Sequence, residues 1–463
     1  MTGFDVIVLG AGPAGVLAAI RASDLGARTA LVTNGEFGGM AANDGPVPVR
    51  SLAYAARLID DARQMPRYGI PANEPVLRYD QLLARVREIV HDVRGRSVVR
   101  ERIDALGVTV HEHFGAARFV DRHTIETERS GLRLEAEKLI ICTGGVSRRL
   151  DIPGFDLTST NSDAWKLDAV PPSMLVIGGS STGVQLASVF RAFGTEVQLF
   201  ERGPRILALE DEAVSAAVAS GLRASGVAVH ERFGAITAFE KTAAGVRMNF
   251  RVGDELRSAE AALAVVAVGW VADTASLNLG AAGVEVDARG SVKVDRFLRT
   301  SAPNLFAAGD VTGRVMLVPA ALEDGFVAAT NAVKGSTLAL RDRVSPAGSF
   351  SHPEYAQVGL TEAKARESHE VVATVTPFDA TVRGIIEGRT FGFCKLVVDR
   401  RSFQILGCHV VASERWRSRS RPPSRSPRGC GSTSWRVFPS PFRRSPRLSS
   451  TRRFARRSSS GCP

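Results

Sequence analysis

No two of the five cysteines, Cys142, Cys394, Cys408, Cys430 and Cys462, form a CxxC or CxxxxC pair. Their odd number and wide scatter argue against a disulfide framework and a zinc site, so no metal is expected. Cys142, Cys394 and Cys408 read instead as small apolar core residues. No apolar run approaches the about 20 residues that a membrane-spanning helix needs. The most apolar, Leu263 to Ala272, falls far short. The N-terminus has no basic stretch or cleavage site before its first apolar strand, so no secretory leader is expected and the cytoplasm is the default compartment. Acids are nearly missing from the last segment. From Ala412 to Pro463 there are fourteen arginines, no lysine and one acid, Glu414, for a charge of +13. The other 411 residues hold 45 basic and 47 acidic side chains and carry −2. The +11 of the whole chain is therefore a property of its tail and does not make the body a nucleic-acid binder.

What is present is a nucleotide-binding pattern, twice. Residues 4 to 9 form a β-branched apolar run, and Gly10-Ala11-Gly12-Pro13-Ala14-Gly15 follows. A helical stretch from Val16 to Leu25 closes at Gly26, and a second strand runs from Thr29 to Val32. In such a unit Gly10 permits the tight turn, Gly12 admits a pyrophosphate to the backbone, and Gly15 lets helix pack on strand. The helix N-terminus offers N–H groups and positive dipole to the phosphates, with Pro13 and Ala14 in its first turn. The pattern returns as Met174 to Ile177, then Gly178-Gly179-Ser180-Ser181-Thr182-Gly183, then a helix from Val184 to Phe193 ended by Gly194. Its second strand, Thr195 to Phe200, has Glu201 at its tip. Glu201 is placed to bond the ribose hydroxyls of NAD and to repel a 2′-phosphate, and the adjacent Arg202 softens that preference. NAD is favoured, with NADP possible. The matching position of the first unit is Thr33, so a ribose there would meet Thr33, Asn34 or a reaching Glu36.

Further motifs carry a family resemblance over about residues 4 to 411. Leu139-Ile140-Ile141-Cys142-Thr143-Gly144-Gly145 and Ala267-Val268-Gly269-Trp270 are similar to the turns that leave the two nucleotide domains of class I pyridine nucleotide–disulfide oxidoreductases. The run Thr300 to Val311, with Gly309-Asp310, resembles that family's second FAD fingerprint. Met316 to Gly325 resembles its helix beneath the flavin ring, and Pro353 to Glu362 the opening of its dimerisation domain. The resemblance implies an α/β fold with two Rossmann-like domains, for FAD and NAD(P), plus an α+β dimerisation domain, and a homodimer. It implies an FAD domain over 1–150 and 270–335, an NAD(P) domain over 151–269 and a dimerisation domain over 345–411. Asp310 takes the family's ribityl-binding role, and Gly39, Thr143, Gly144, Gly269, Gly309 and Leu317 line the cofactors. From the residues alone, Asp310 also reads as a helix N-cap.

One family element is absent. The redox signature is a glycine pair, two cysteines five apart, and Pro-Ser-Lys. Here the segment Gly38 to Arg50 aligns without gaps and puts Ala41 and Pro46 at the cysteine positions. Neither can carry electrons, so dithiol chemistry is excluded at this place. The family's flavin-side Lys and its Glu partner become Arg50 and Gln185, the candidate catalytic pair, which keeps a cation and loses the anion. Hydride transfer needs only positioning and electrostatics from the protein. The expected activity is therefore an FAD-dependent NAD(P)H oxidoreductase passing electrons to a diffusible small-molecule acceptor, quinones first. Transhydrogenation and a catalytically silent nucleotide-binding protein are the alternatives.

After Val411 the composition turns to Arg, Ser and Pro without apolar periodicity, as expected of a disordered tail. The run 415–428 superficially resembles RNA-binding Arg-Ser segments. GC-rich codons read out of frame explain it better, and no nucleic-acid partner is expected. Residues 51 to 104 are expected to form long helices, one running from Tyr79 to Arg102.

Overall fold

A computed structural model of the chain describes residues 3–71, 73–127, 131–341 and 344–412. The expectations for the tail beyond Ala412 lie outside the described residues.

The N-terminal part contains β1 (Gly3–Leu9), α1 (Pro13–Asp24), β2 (Thr29–Val32), α2 (Gly39–Asn43) and α3 (Pro46–Gln64). It continues with α4 (Tyr79–Gly95), α5 (Val98–Ala105), β3 (Thr109–His111), β4 (Ala117–Phe119), β5 (Thr124–Thr127), β6 (Arg133–Ile141) and β7 (Gly145–Ser147). Its sheet has the order β3-β2-β1-β6-β5-β4. The strands β1, β2, β3 and β6 pair in parallel, with Leu9 opposite both Val32 and Ile141. β1 and β2 are buried almost throughout, as a parallel strand covered on both faces must be.

The middle part holds β8 (Ser159–Thr160), α6 (Asn161–Ala164), β9 (Ser173–Ile177), α7 (Ser181–Ala192), β10 (Glu196–Glu201), α8 (Glu212–Ala224) and β11 (Ala228–Glu231). Next come β12 (Ala235–Thr242), β13 (Gly245–Val252), β14 (Glu255–Ala261), β15 (Leu263–Val266) and β16 (Trp270–Ala272). A second parallel sheet runs β11-β10-β9-β15-β8, and β12-β13-β14 form an antiparallel three-stranded sheet beside it. Phe155, Phe200, Phe233, Phe239, Phe250 and Met248 fill the space between the two. The chain then returns to the first sheet. β17 (Leu305–Ala307) pairs in parallel with the end of β6, and α9 (Val318–Lys334) lies against α1. That helix starts at Val318, so Leu317 is its N-cap residue. The crossovers between the parts are zipped together where β7 pairs antiparallel with β16.

The last part is an antiparallel sheet with the order β18-β19-β22-β21-β20. Its elements are β18 (Ala347–Ser349), β19 (Glu354–Gly359), α10 (Glu362–Arg366), β20 (Val371–Pro377), β21 (Gly392–Asp399) and β22 (Ile405–Ala412). β22 runs one residue past the expected break and pairs Ala412 with Glu354 and Gly392. Tyr355 and Val411 join the core that also contains Val49, Leu52, Val184 and Phe190, so this sheet packs on α3 and α7. Among the described residues no helix is long and apolar enough to cross a membrane.

The helix expected from Tyr79 to Arg102 is two helices. α4 ends at Gly95, and Ser97 caps α5 by accepting a hydrogen bond from Arg100 N at 3.3 Å. Glycine disfavours helix, and a serine cap satisfies the freed N–H, so local chemistry overrides the continuous apolar period.

The antiparallel pairing also brings two cysteines together. Cys394 faces Val410 and Cys408 faces Leu396, which puts both thiols on one face of β21 and β22, as diagonal neighbours. Both are half-buried free thiols, not core residues; among the described cysteines only Cys142 is buried. A hydrogen bond from the Cys408 thiol pulls Cys394 down to about 7, against the opposing effect of burial. Burial pushes Cys142 up, out of the range where it ionises near neutrality. At pH 7.5 iodoacetamide is therefore expected to label Cys394 well before Cys142, because the thiolate is the nucleophile. Peptide mapping checks this; faster labelling of Cys142 would contradict it.

Candidate cofactor and active site

The two glycine loops superimpose in their local chemistry. Gly10 has φ +107° and Gly178 φ +110°, the left-handed side that favours glycine. Gly10 N donates to Val32 O at 2.7 Å, and Gly178 N donates to Phe200 O at 2.8 Å. A Cβ at Gly10 would lie 2.1 Å from Cys142 O, and one at Gly178 would lie 2.4 Å from Ala267 O. Each first glycine is thus pinned between its own strand turn and the neighbouring strand's exit. The third glycines press the helix onto the turn. A Cβ at Gly15 would lie 1.7 Å from Gly10 O, and one at Gly183 would lie 1.8 Å from Gly178 O.

The central positions differ. Gly12 has φ −76°, ψ −177° and Ser180 has φ −77°, ψ −179°, extended backbone that any residue adopts. Conformation does not demand glycine at Gly12; access does. A Cβ there would meet nothing within 4 Å, so the backbone is open to an approaching phosphate. The second loop places a hydroxyl-bearing side chain at the same point. Pro13 opens α1 and Ala14 is buried within its first turn, where its carbonyl would lie 2.1 Å from a Cβ at Gly325. That close approach seats α9 on α1. Gly39 packs over the first loop, since its Cβ would lie 2.7 Å from Gly12 Cα.

At the tip of β2, Thr33 is buried and Asn34 is exposed. Thr33 N donates to His111 O at 2.9 Å, and Thr33 O accepts from Phe114 N at 3.0 Å. Glu36 does not reach back to this point. Arg94 holds it at 2.6 Å, with His113 Nε2 at 3.6 Å. At the tip of β10, Glu201 turns into its own loop: Oε2 accepts from Gly179 N at 2.7 Å and Oε1 from Gly203 N at 2.6 Å.

Asp310 stands at the carboxyl end of β17, where α/β sheets hold ligands. Among the described residues its carboxylate has no hydrogen bond or ion pair. Burial, then the charge of Asp324, raises its pKa. Such a carboxylate fits a ligand that brings hydroxyl donors. Asp324, on α9, was not singled out by sequence. It is buried and accepts from Gly309 N at 3.2 Å, fixing the Gly309–Asp310 turn. Its acid just before Gly325 was the available signal. Burial also raises Asp324.

Thr143 and Gly144 lie at the exit of β6. Thr143 Oγ1 donates to Asp273 O at 2.7 Å, and Asp273 N donates to Gly144 O at 3.0 Å, so these residues also tie the crossover. Gly269, with φ +111°, accepts from Arg148 N at 3.0 Å in the same zip. Arg50 lies on α3 and Gln185 on α7, two helices that pack against each other. Arg50 is exposed, and its guanidinium sits over the Phe350 ring at 5.0 Å from the centroid. Ala41 lies in α2 and Pro46 is the first residue of α3. A further contact missed by sequence joins Ser181 Oγ to Tyr355 Oη at 2.6 Å, fastening α7 to the last sheet.

Two strand–glycine–helix units, an open loop backbone and an unpartnered carboxylate at a strand exit make up the architecture of a nucleotide-binding α/β protein. The chain belongs to the pyridine nucleotide-disulphide oxidoreductase family, whose profile matches residues 4–325; that of its dimerisation domain matches residues 345–416. It is an oxidoreductase of a family of FAD- and NAD(P)-dependent flavoproteins. A mercuric reductase of Bacillus cereus is 33% identical over 419 residues, covering 88% of this chain and 64% of that protein. The chain thus spans less than two thirds of that relative. A dihydrolipoyl dehydrogenase of Zymomonas mobilis is 34% identical over 418 residues, covering 89% of each. The structure of the HOCl-induced flavoprotein disulfide reductase RclA from Escherichia coli matches with a TM-score of 0.77 at 25% identity, over 89% of this chain and 90% of that one.

Proposed function

We propose that this chain is an FAD-dependent NAD(P)H oxidoreductase that works without a redox disulfide and delivers electrons to a diffusible acceptor, a quinone or a molecule like it. Ala41 and Pro46 at the positions of the family's cysteine pair carry this reading. FAD, when bound, would supply the redox chemistry between the reduced nicotinamide and the acceptor, with the hydride bringing the electron pair and one proton and solvent the second proton that turns a quinone into its hydroquinone.

The chain's own residues bind and orient. The open backbone at Gly12 and the α1 N-terminus take one pyrophosphate, while Gly10 and Gly15 hold the loop in shape. Thr33 and Asn34 are within the ribose-binding tip of β2, and Asp310 accepts from hydroxyls of the flavin's side chain. Gly178, Ser180 and Gly183 form the nicotinamide nucleotide's loop, with Glu201 at its ribose. Arg50 supplies a positive charge on α3, with neutral Gln185 across on α7, which favours an electron-rich flavin. The dimerisation sheet supports a homodimer of the family kind.

The test is NAD(P)H-dependent quinone reduction with the flavin's visible band followed anaerobically. Bleaching on mixing, and quinone turnover that survives thiol alkylation and arsenite, are expected. No bleaching, or turnover lost when thiols are blocked, would overturn the reading.

A further inference from the structure

The second glycine loop is held by the last sheet as well as by its own turn. Ser181, the first residue of α7, meets the Tyr355 hydroxyl at 2.6 Å. Tyr355 is buried, and Ser349, opposite it in the β18–β19 pair, bonds the same phenol from the sheet side. Ser349 is anchored in turn: its Oγ donates to Ser351 Oγ at 3.2 Å, and Ser351 Oγ donates to Pro353 O at 2.8 Å. Two turns along α7, Ser188 Oγ accepts from His352 N at 2.6 Å. Ser181 and Ser188 are seven residues apart, so they share one face of the helix, and the sheet holds that face at both points. The other flank of the loop is tied to the same sheet. Leu207 N donates to Gly179 O at 2.7 Å. Four residues on, Asp211 accepts from Glu362 N at 3.0 Å and from Lys395 Nζ at 2.8 Å.

Burial, then the charge of Glu210, pushes the Tyr355 hydroxyl up, so the phenol keeps its proton as a donor. The free N–H groups at a helix start are the ones that meet a pyrophosphate, and Ser181 carries one of them. No side-chain cap steadies this helix start: Ser180, its N-cap residue, makes no cap bond. The aim of those N–H groups therefore depends on where the sheet holds Ser181. We propose that Tyr355 is a positioning residue for the nicotinamide nucleotide: through Ser181 it sets the start of α7 against the pyrophosphate, so that the last sheet governs the affinity of a loop in the neighbouring domain. This deepens the function proposed above and rests on its nicotinamide nucleotide site.

The test is a double-mutant cycle of Tyr355→Phe and Ser181→Ala in the full holoprotein, read by calorimetric binding of NADPH and NADH. Each substitution removes one oxygen and keeps the rest of the side chain in place. We expect either one to weaken nucleotide binding about fivefold or more, the scale of a lost hydrogen bond. The double variant should be little worse than either single one, because both break the same bond. KM for the nucleotide should rise by about the same factor and kcat should fall far less, since the contact acts on binding. A tyrosine that only supports the fold would lower the melting temperature and leave affinity and KM unmoved; that result would overturn the positioning role and leave the nicotinamide site standing. Losses that multiply in the double variant would also overturn it, as would a parallel loss of flavin content. Binding of neither nucleotide to the unaltered protein would overturn positioning role and nicotinamide site together.

Discussion

Gly15→Val is expected to give a colourless protein, whereas Gly183→Val is expected to give a yellow one that no longer binds NAD(P)H. Both changes put side-chain atoms where a backbone carbonyl already lies, 1.7 Å from the new Cβ at Gly15 and 1.8 Å at Gly183. Overpacking against movable side chains typically costs about 1–3 kcal/mol. Here the obstacle is the first glycine of the same loop, so relief requires the helix to lift off its strand. That lift moves the N–H groups of the helix start away from the phosphates they would hold. The two loops sit in separate sheets, so each change disables its own nucleotide. Flavin content from the visible spectrum and nicotinamide affinity by calorimetry separate the two outcomes. A yellow Gly15→Val protein with full flavin content would contradict the assignment of the first loop.

Lys395→Met is expected to destabilise the chain by about 3–5 kcal/mol, the scale for stranding one partner of a buried ion pair. Lys395 Nζ lies 2.8 Å from Asp211 Oδ1 and 2.7 Å from Glu362 Oε2, with both Lys395 and Asp211 buried. Burial alone would raise the Asp211 carboxyl. The bond from Lys395 and those from Glu362 N and Ala213 N outweigh burial and hold it below the usual carboxylate range. A carboxylate depressed in the folded state stabilises above its unfolded pKa, and that contribution is lost as pH falls through the folded pKa. Wild type should therefore lose stability more steeply than Lys395→Met as pH drops below about 4. For Lys395, burial opposes the charge and the two acids win, raising its pKa, so its contribution fades only at strongly alkaline pH. Thermal melts of both proteins across pH check the size and sign. Equal melting temperatures near neutrality would show that the cluster contributes nothing.

The glycine units were legible in the sequence because each depends on contacts within about thirty residues: strand period, glycine spacing and helix period all lie on one short stretch. The return of residues 270–335 to the first domain was implied by the family resemblance, whereas the order of strands and the approach of α9 to α1 rest on contacts between distant segments. The break between α4 and α5 was legible in principle, since Gly95 and Ser97 are stop and start signals; the apolar period masked them. The Cys394–Cys408 neighbourhood follows from hairpin parity, which needs the turn register before it can be read. Lys395 and Asp211 are 184 residues apart, and nothing local marks either as a partner.

The most direct measurement is an anaerobic reductive titration of the thiol-reduced flavoprotein with NADPH, counting reducing equivalents per flavin. With alanine and proline at positions 41 and 46, the flavin band should vanish completely after about one hydride per flavin, with no long-wavelength thiolate-to-flavin absorption on the way. Uptake of twice that amount, with such a band at the midpoint, would mean that a sulfur pair shares the electrons after all.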